Sequence, residues 1–259
     1  MSVLAGKAER IKSSGSNKVT YVIDTKTKNL SFLKMHRYLR DRGIQNNKFF
    51  LRLYDKDLIG VDPYSKKLTR AQELKIINEC TKNPFFYLRE IARVRIPGGL
   101  ARFELHPGNL AIVWAVFNSF DLIGLLPRQR YKTFSIAAAL CWVYDFGTTN
   151  THMLFGNKSL GDSKNNLKRF KAFRQEYPAY LQNAVFDAAD TDNLESIESV
   201  KTKNKIDVAG QPTNRGAADK QGRGMGIPIW WPDELKASSC KTSLIVWETL
   251  IWVISSEAY

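Results

Sequence analysis

Gly124-Leu125-Leu126-Pro127-Arg128-Gln129-Arg130-Tyr131-Lys132-Thr133 carries an apolar run into a basic loop, and its closing Lys-Thr opens an amphipathic segment from Phe134 to Tyr144. The predicted order is strand, loop, helix. That order makes a phosphate-binding loop, because a helix start offers unpaired backbone N–H groups and the positive end of its dipole to an anion. Lys132 can reach the outer phosphates of a nucleotide and the Thr133 hydroxyl can ligate Mg²⁺, so the stretch reads as a candidate ATP site. The match to G-x-x-x-x-G-K-[ST] is partial. Tyr131 stands where the second glycine is expected, and Gly124 is too far upstream to be the first. A bulky side chain conflicts with a positive φ or with close approach of the backbone to a phosphate. The plain alternative is a Lys-Thr in a solvated first helical turn.

The chain of 259 residues is 44% hydrophobic and 12% aromatic, which favours a globular core over disorder. A formal net charge of +14 implies a polyanionic partner, with nucleic acid first and an anionic membrane as the rival. No apolar run reaches the roughly 18 to 20 residues of a spanning helix, and the start MSVLAGKAERIKSSGS lacks a signal-peptide core. A soluble intracellular protein is expected. Cys80, Cys141 and Cys240 show no paired metal-ligand spacing and read as free thiols.

The charge is uneven. Residues 1–82 hold 18 Lys+Arg against 8 Asp+Glu, leaving 21 against 17 for residues 83–259. Two units are therefore expected, a basic N-terminal extension (1–82) and an α/β domain (83–259). In the extension, His36-Arg37-Tyr38-Leu39-Arg40-Asp41-Arg42 and Phe49-Phe50-Leu51-Arg52-Leu53-Tyr54 interleave cations with apolar or aromatic side chains. Such interleaving suits phosphate contacts with stacking, and equally an amphipathic element with a solvated basic face. Leu68 to Cys80 reads as a helix with Leu74, Ile77 and Cys80 inward.

Beyond residue 82 the pattern alternates. Helices are expected from Pro84, from Pro107 to Phe120, from Phe134 to Tyr144, and from about Asp162 with Leu167, Phe170, Phe173 and Tyr177 on one stripe. Met153-Leu154-Phe155 is a buried-strand candidate, and Ser196 to Ala209 reads as paired strands. Alternating strands and helices predict a mostly parallel sheet flanked by helices. Five carboxylates, Asp187, Asp190, Asp192, Glu195 and Glu198, could suggest a two-metal centre, but a local acidic run is more often a solvated loop.

Ile227-Pro228-Ile229-Trp230-Trp231-Pro232-Asp233-Glu234 is the second site element. An apolar strand ending in Asp-Glu is what an ATPase needs opposite its phosphate loop. The first carboxylate holds Mg²⁺ or its water, and the second can polarise the attacking water.

Taken together these residues resemble a known family, the large terminase subunit of tailed bacteriophages. The resemblance runs from about Asn83 to Leu235. It rests on Asn83-Pro84-Phe85-Phe86-Tyr87, Pro127-Arg128-Gln129-Arg130-Tyr131-Lys132-Thr133, Phe146-Gly147-Thr148-Thr149-Asn150, Asn157-Lys158-Ser159, Asn165-Asn166-Leu167-Lys168-Arg169, Gly222-Arg223-Gly224 and Asp233-Glu234. It implies a P-loop NTPase fold of the ASCE/RecA-like kind and an ATPase that drives double-stranded DNA into a procapsid. In that reading Lys132 binds the β- and γ-phosphates, with Gln129 and Arg130 in the same loop. Thr133 and Asp233 hold Mg²⁺, Glu234 is the catalytic glutamate, and Arg128 senses or stabilises the γ-phosphate. Arg223 is expected to serve a neighbouring subunit's site, and Asn109 stands near the usual adenine-reading glutamine.

The resemblance also implies a portal protein and a small terminase subunit as partners, a homo-oligomeric ring, and the cytoplasm of an infected bacterial host. Three features depart from the family: Tyr131 in the loop, Pro232 interrupting the strand before Asp233, and no coupling motif or nuclease after Glu234, so a shortened or split subunit is expected. Two other functions remain open on the residues, a helicase-like nucleic-acid ATPase and a basic DNA-binding or regulatory protein with a degenerate nucleotide site.

Overall fold

In the computed structural model, which describes residues 20–96, 98–122, 132–211 and 226–233, the basic first third shares its core with the rest. Strand β1 (Val22–Ile23) pairs antiparallel with β2 (Arg52–Leu53), and helix α1 (Leu30–Arg40) lies between them in sequence. Phe32, Met35, Phe50, Leu51 and Leu53 are buried in one cluster with Phe85, Phe86, Tyr144 and Phe170. A run of edge-on aromatic contacts makes the join. Phe49 meets Phe85 at 5.1 Å, Phe85 meets Phe117 at 5.3 Å, and Phe117 meets Trp142 at 5.3 Å. Each such pair contributes about 0.5–1.5 kcal/mol beyond its buried area. The change of composition at residue 82 is therefore not a change of core. Burial of Phe50 and Leu51 also removes them from the expected stacking surface, leaving Tyr21 and Tyr54 exposed.

Helix α2 (Arg70–Lys82) starts on a capping box between Thr69 and Gln72, which satisfies donors that a helix start leaves unpaired. Its inward face differs from the expected one: Ile76, Glu79 and Cys80 are buried and Leu74 is 52% exposed. Glu79 explains the rotation. Its carboxylate accepts the backbone N–H groups of Tyr54 and Asp55 and the Asn83 amide, so the helix turns a charge inward to pin the β2 exit. Asn83 in turn caps α3 (Pro84–Phe86), with Pro at the first helical position, and the chain continues as a π turn over Tyr87–Ile91. Strands β3 (Arg93–Ile96) and β4 (Gly99–Arg102) form a hairpin whose reversal uses Gly98 and Gly99 at φ +94° and +142°.

Helix α4 (Pro107–Phe117) and helix α5 (Lys132–Trp142) pack together, and α5 runs into a π turn over Val143–Gly147. The Trp142 indole donates to the Cys80 carbonyl at 2.6 Å, tying α5 to α2. Next come β5 (His152–Asn157), α6 (Leu160–Gln175), α7 (Ala179–Val185), β6 (Thr191–Asp192), β7 (Ser196–Glu198), β8 (Lys205–Gly210) and β9 (Ile229–Asp233). The α6 stripe of Leu167, Phe170 and Phe173, continued by Tyr177, is buried as its spacing predicts, and Phe170 packs edge-on to Phe155 of β5 at 5.7 Å.

The sheet order is β6-β7-β8-β5-β9. Strand β5 pairs parallel with both β8 and β9, whereas β6–β7 and β7–β8 are antiparallel. The sheet is thus mixed, not mostly parallel. The short turn over 199–204 accounts for this, since a connection of that length closes a hairpin and a parallel pair needs a long crossover. Pro232 does not interrupt β9, which runs through it to Asp233 with Pro232 opposite Gly156. A proline is tolerated there because β9 is paired along a single edge among the described residues.

The acidic run from Asp187 to Glu198 is turn and edge structure. Asp187 and Asp190 accept backbone N–H groups, Asp192 pairs with Lys171, and Glu195 pairs with Lys164 at 2.7 Å. Among the described residues no three His, Cys, Asp or Glu side chains are grouped to hold a metal, and no helix is long and apolar enough to cross a membrane.

Cys80 and Cys141 are free and fully buried, and burial pushes both thiols well above their ordinary range. The thiolate is the nucleophile. Native protein treated with iodoacetamide at pH 8 is therefore expected to leave both unmodified, whereas denatured protein is alkylated at each. Peptide masses after digestion read the result, and native alkylation of either at a free-thiol rate contradicts the packing around α2 and α5.

Candidate functional site

The C-terminal ends of β5, β8 and β9 point to the same edge of the sheet, the edge at which open α/β sheets bind ligands. At that edge β9 delivers Asp233 opposite Asn157, the last residue of β5. Helix α5 begins there with Lys132 and Thr133. The Lys132 ammonium lies 3.5 Å from Asp233 Oδ1, and the Thr133 hydroxyl donates to Asp233 Oδ2 at 3.1 Å. Two adjacent residues thus share a carboxylate that lies 100 positions beyond Thr133 in the chain. Asp233 is 6% exposed, and a buried polar group is costly unless hydrogen-bonded, which these partners provide.

A third partner comes from α6. Asn166, fully buried, donates its amide to Asp233 Oδ2 at 3.3 Å, and its own carbonyl oxygen accepts from Arg169 Nη1 at 2.7 Å. One turn of α6 therefore orients the carboxylate from behind. The start of α6 is fixed by Ser159, which accepts the Asp162 N–H at 3.1 Å, and by Ser163, which donates to the Ala209 carbonyl at 2.6 Å. Gly210 is required at this contact, because a Cβ there would come within 2.9 Å of the Leu160 backbone nitrogen. These contacts hold α6 against the end of β8 and so set Asn166 at its distance from Asp233.

The expected site residues divide into three groups. Lys132, Thr133 and Asp233 are brought together. Asn109 is set apart by its own turn: buried at the third position of α4, it accepts the His106 N–H and donates to the Glu104 carbonyl, both at 2.8 Å. Its amide caps a helix. Arg128, Gln129, Arg130, Tyr131, Arg223 and Glu234 lie outside the described residues. Asn166 enters the sequence reading only through the resemblance, without a role, and Arg169 through the resemblance and as an outward-facing cation on the same helix. Nothing local to Asn166 announces a partner 67 residues away; the usable signal was its i, i+3 spacing from Arg169 on the helix that follows β5.

One hydroxyl and one carboxylate 3.1 Å apart are hard oxygen donors of the kind Mg²⁺ takes when phosphate and water supply the remaining ligands. Lys132, 29% exposed at its side chain, sits beside them as a cation able to meet a phosphate. The donor set is chemically of the kind that a hard divalent cation accepts. Comparison of the sequence with models of known protein families, and with curated proteins, finds no match. What fold and site define is a mixed α/β protein with a Lys-Thr-Asp cluster at the carboxyl edge of its parallel strands.

Proposed function

We propose that this edge is the Mg²⁺–ATP site of a P-loop ATPase, and that the protein is the motor subunit of a DNA-packaging machine, a large terminase subunit acting on double-stranded DNA. The observation that carries the reading is the meeting of Lys132 and Thr133 with Asp233. A phosphate loop and a metal-binding strand end require that juxtaposition. The strand order supports it too, since the strand following the loop helix, β5, lies directly beside the strand bearing the acidic residue.

In this reading Lys132 exchanges its contact with Asp233 for the β- and γ-phosphates when nucleotide enters. Thr133 and Asp233 hold Mg²⁺, which when bound neutralises phosphate charge and orients the terminal phosphoryl group. Asn166 keeps the Asp233 carboxylate turned toward Thr133. Glu234, next along the chain, polarises the attacking water, and Arg128 stabilises the γ-phosphate. The net charge of +14 supports a polyanionic partner. Portal protein, a small terminase subunit, a ring of copies and the cytoplasm of an infected bacterium belong to the same proposal.

One observation favours a second reading. Asp233 is already satisfied by three protein groups, so the cluster could be purely structural, in a basic DNA-binding protein with no working nucleotide site. The test is binding and turnover of radiolabelled ATP with Mg²⁺, in the presence and absence of duplex DNA. Turnover stimulated by DNA supports the motor; no ATP binding at millimolar nucleotide leaves the structural reading.

Asn166→Ala separates the orienting contact from the phosphate contacts. Removing a partner that orients a metal ligand typically costs 10–100-fold. Turnover is expected to fall about tenfold with a raised Mg²⁺ requirement, ATP binding being changed far less. A variant with unaltered Mg²⁺ dependence shows that Asn166 does not position Asp233 for chemistry.

A further inference from the structure

A groove of about 550 Å³ lies away from the Asp233 cluster, between α1 and the segment leading into β2. Among the described residues three cations line it, Arg40, Lys48 and Arg52, together with the Tyr21 ring and the amides of Asn46 and Asn47, and none of the described lining residues is Asp or Glu. Its walls are held in place. His36 Nδ1 is 3.2 Å from the Asn47 carbonyl and donates to it, and Arg52 donates to the Asn46 side chain at 3.3 Å. The Arg52 guanidinium stacks 4.3 Å from the Tyr21 ring, whose residue is 44% exposed. Lys48 is exposed and has no ion-pair partner among the described residues. Arg37 on α1 and Arg42 just after it are exposed as well.

We infer that this groove binds a single-stranded nucleic-acid segment, with phosphodiesters against Arg40, Lys48 and Arg52 and a base stacked on Tyr21. A concave site of this size accommodates a nucleotide unit or two. A row of cations beside an aromatic face is how single strands are held without sequence preference, and a guanidinium behind the ring adds to the stacking. The carboxyl end of α1 would repel an anion, but Arg37 and Arg40 in its last turn, with Arg42 just beyond, outweigh it. Asp41 engages Arg40 at 3.1 Å in an exposed pair, which a phosphate can displace at little cost. Side-chain amides next to the cations supply uncharged contacts to sugar and phosphate.

Fluorescence anisotropy of a labelled (dT)₂₀ strand, titrated with the full chain in the absence of nucleotide, tests the inference independently of ATP chemistry. The Arg40→Glu/Lys48→Glu variant changes two exposed side chains and is expected to retain its melting temperature. It is expected to bind at least tenfold more weakly than the parent. Its log–log salt slope is expected to be shallower by about 1.4, two single-strand phosphate contacts being lost. Tyr21→Ala weakens single-strand binding several-fold and leaves duplex binding unchanged. Lys66→Glu/Lys67→Glu, an equal charge change on an exposed loop outside the groove, is the control. The inference is overturned if the control loses as much affinity as the groove variant, or if the groove variant binds (dT)₂₀ like the parent. It is equally overturned if Tyr21→Ala affects duplex and single strand alike, or if the groove variant loses binding only to vesicles of anionic lipid.

Discussion

Lys132→Ala is expected to reduce ATP turnover by roughly 10²–10³-fold, the usual loss when one preorganised donor to a developing phosphate charge is removed, or about 3–4 kcal/mol of transition-state stabilisation. The expectation follows from where the ammonium sits. It lies at the first position of α5, beside the carboxylate that also receives the Thr133 hydroxyl. ATP binding measured by filter retention should weaken together with turnover. Stability should change little, because Lys132 is partly exposed and Asp233 keeps Thr133 and Asn166. The structural reading of the same cluster predicts the reverse, a fall in melting temperature with nucleotide behaviour untouched. One variant with two readouts therefore decides between them. Thr133→Ala completes the comparison, since it removes the hydroxyl and spares the charge. It is expected to act on the Mg²⁺ dependence first.

Much of this arrangement was legible in the chain because it depends on local order. The Lys-Thr pair read as a helix opening stands at the first two positions of α5, and an apolar run ending in acid places Asp233 at a strand end. Parallel pairing of β5 with β9 then brings strand ends to one edge. The α6 stripe and the β7–β8 pairing were readable for the same reason, since period and turn length are properties of contiguous residues. What was not legible is set by distant partners. Leu74 was expected inward on α2, but Glu79 faces in because it has Tyr54, Asp55 and Asn83 to bind. Asn109 has the chemistry of a base-reading amide and is engaged in capping its own helix. Asn166 meets its carboxylate on β9, 67 residues further along the chain. The boundary at residue 82 was inferred from charge, a surface property, which says nothing about which apolar faces meet beneath it.

Arg89→Met is expected to destabilise the fold by about 3–5 kcal/mol, the cost of breaking a buried ion pair by removing one partner. Arg89 is completely buried and stands where the first third of the chain meets the remainder. It donates to Glu90 at 3.0 Å and to the Phe50 carbonyl at 2.6 Å, and lies 3.6 Å from the Asp24 carboxylate. Burial raises the Asp24 carboxyl above its ordinary value, and Arg89 is the strongest influence opposing that rise. Glu90 is held further by the Thr27 hydroxyl at 2.5 Å and by Arg102 at 3.3 Å. Methionine preserves volume but strands the Phe50 carbonyl and two acidic groups, so the loss comes from uncompensated polarity and not from a cavity. For a chain of this size, about 2–4 °C per kcal/mol gives a fall in melting temperature of about 6–20 °C. Arg95→Met is the matched control: Arg95 also meets a carboxylate, that of Glu176, but its side chain is 77% exposed, and a pair in water contributes no more than about 1 kcal/mol. Equal melting temperatures for the two variants would mean that Arg89 does not join residues 20–82 to the core. A large difference means that the basic segment is held by the charge network that the π turn over Tyr87–Ile91 carries into the interior, and that the groove beside α1 is part of the folded body rather than of a tail.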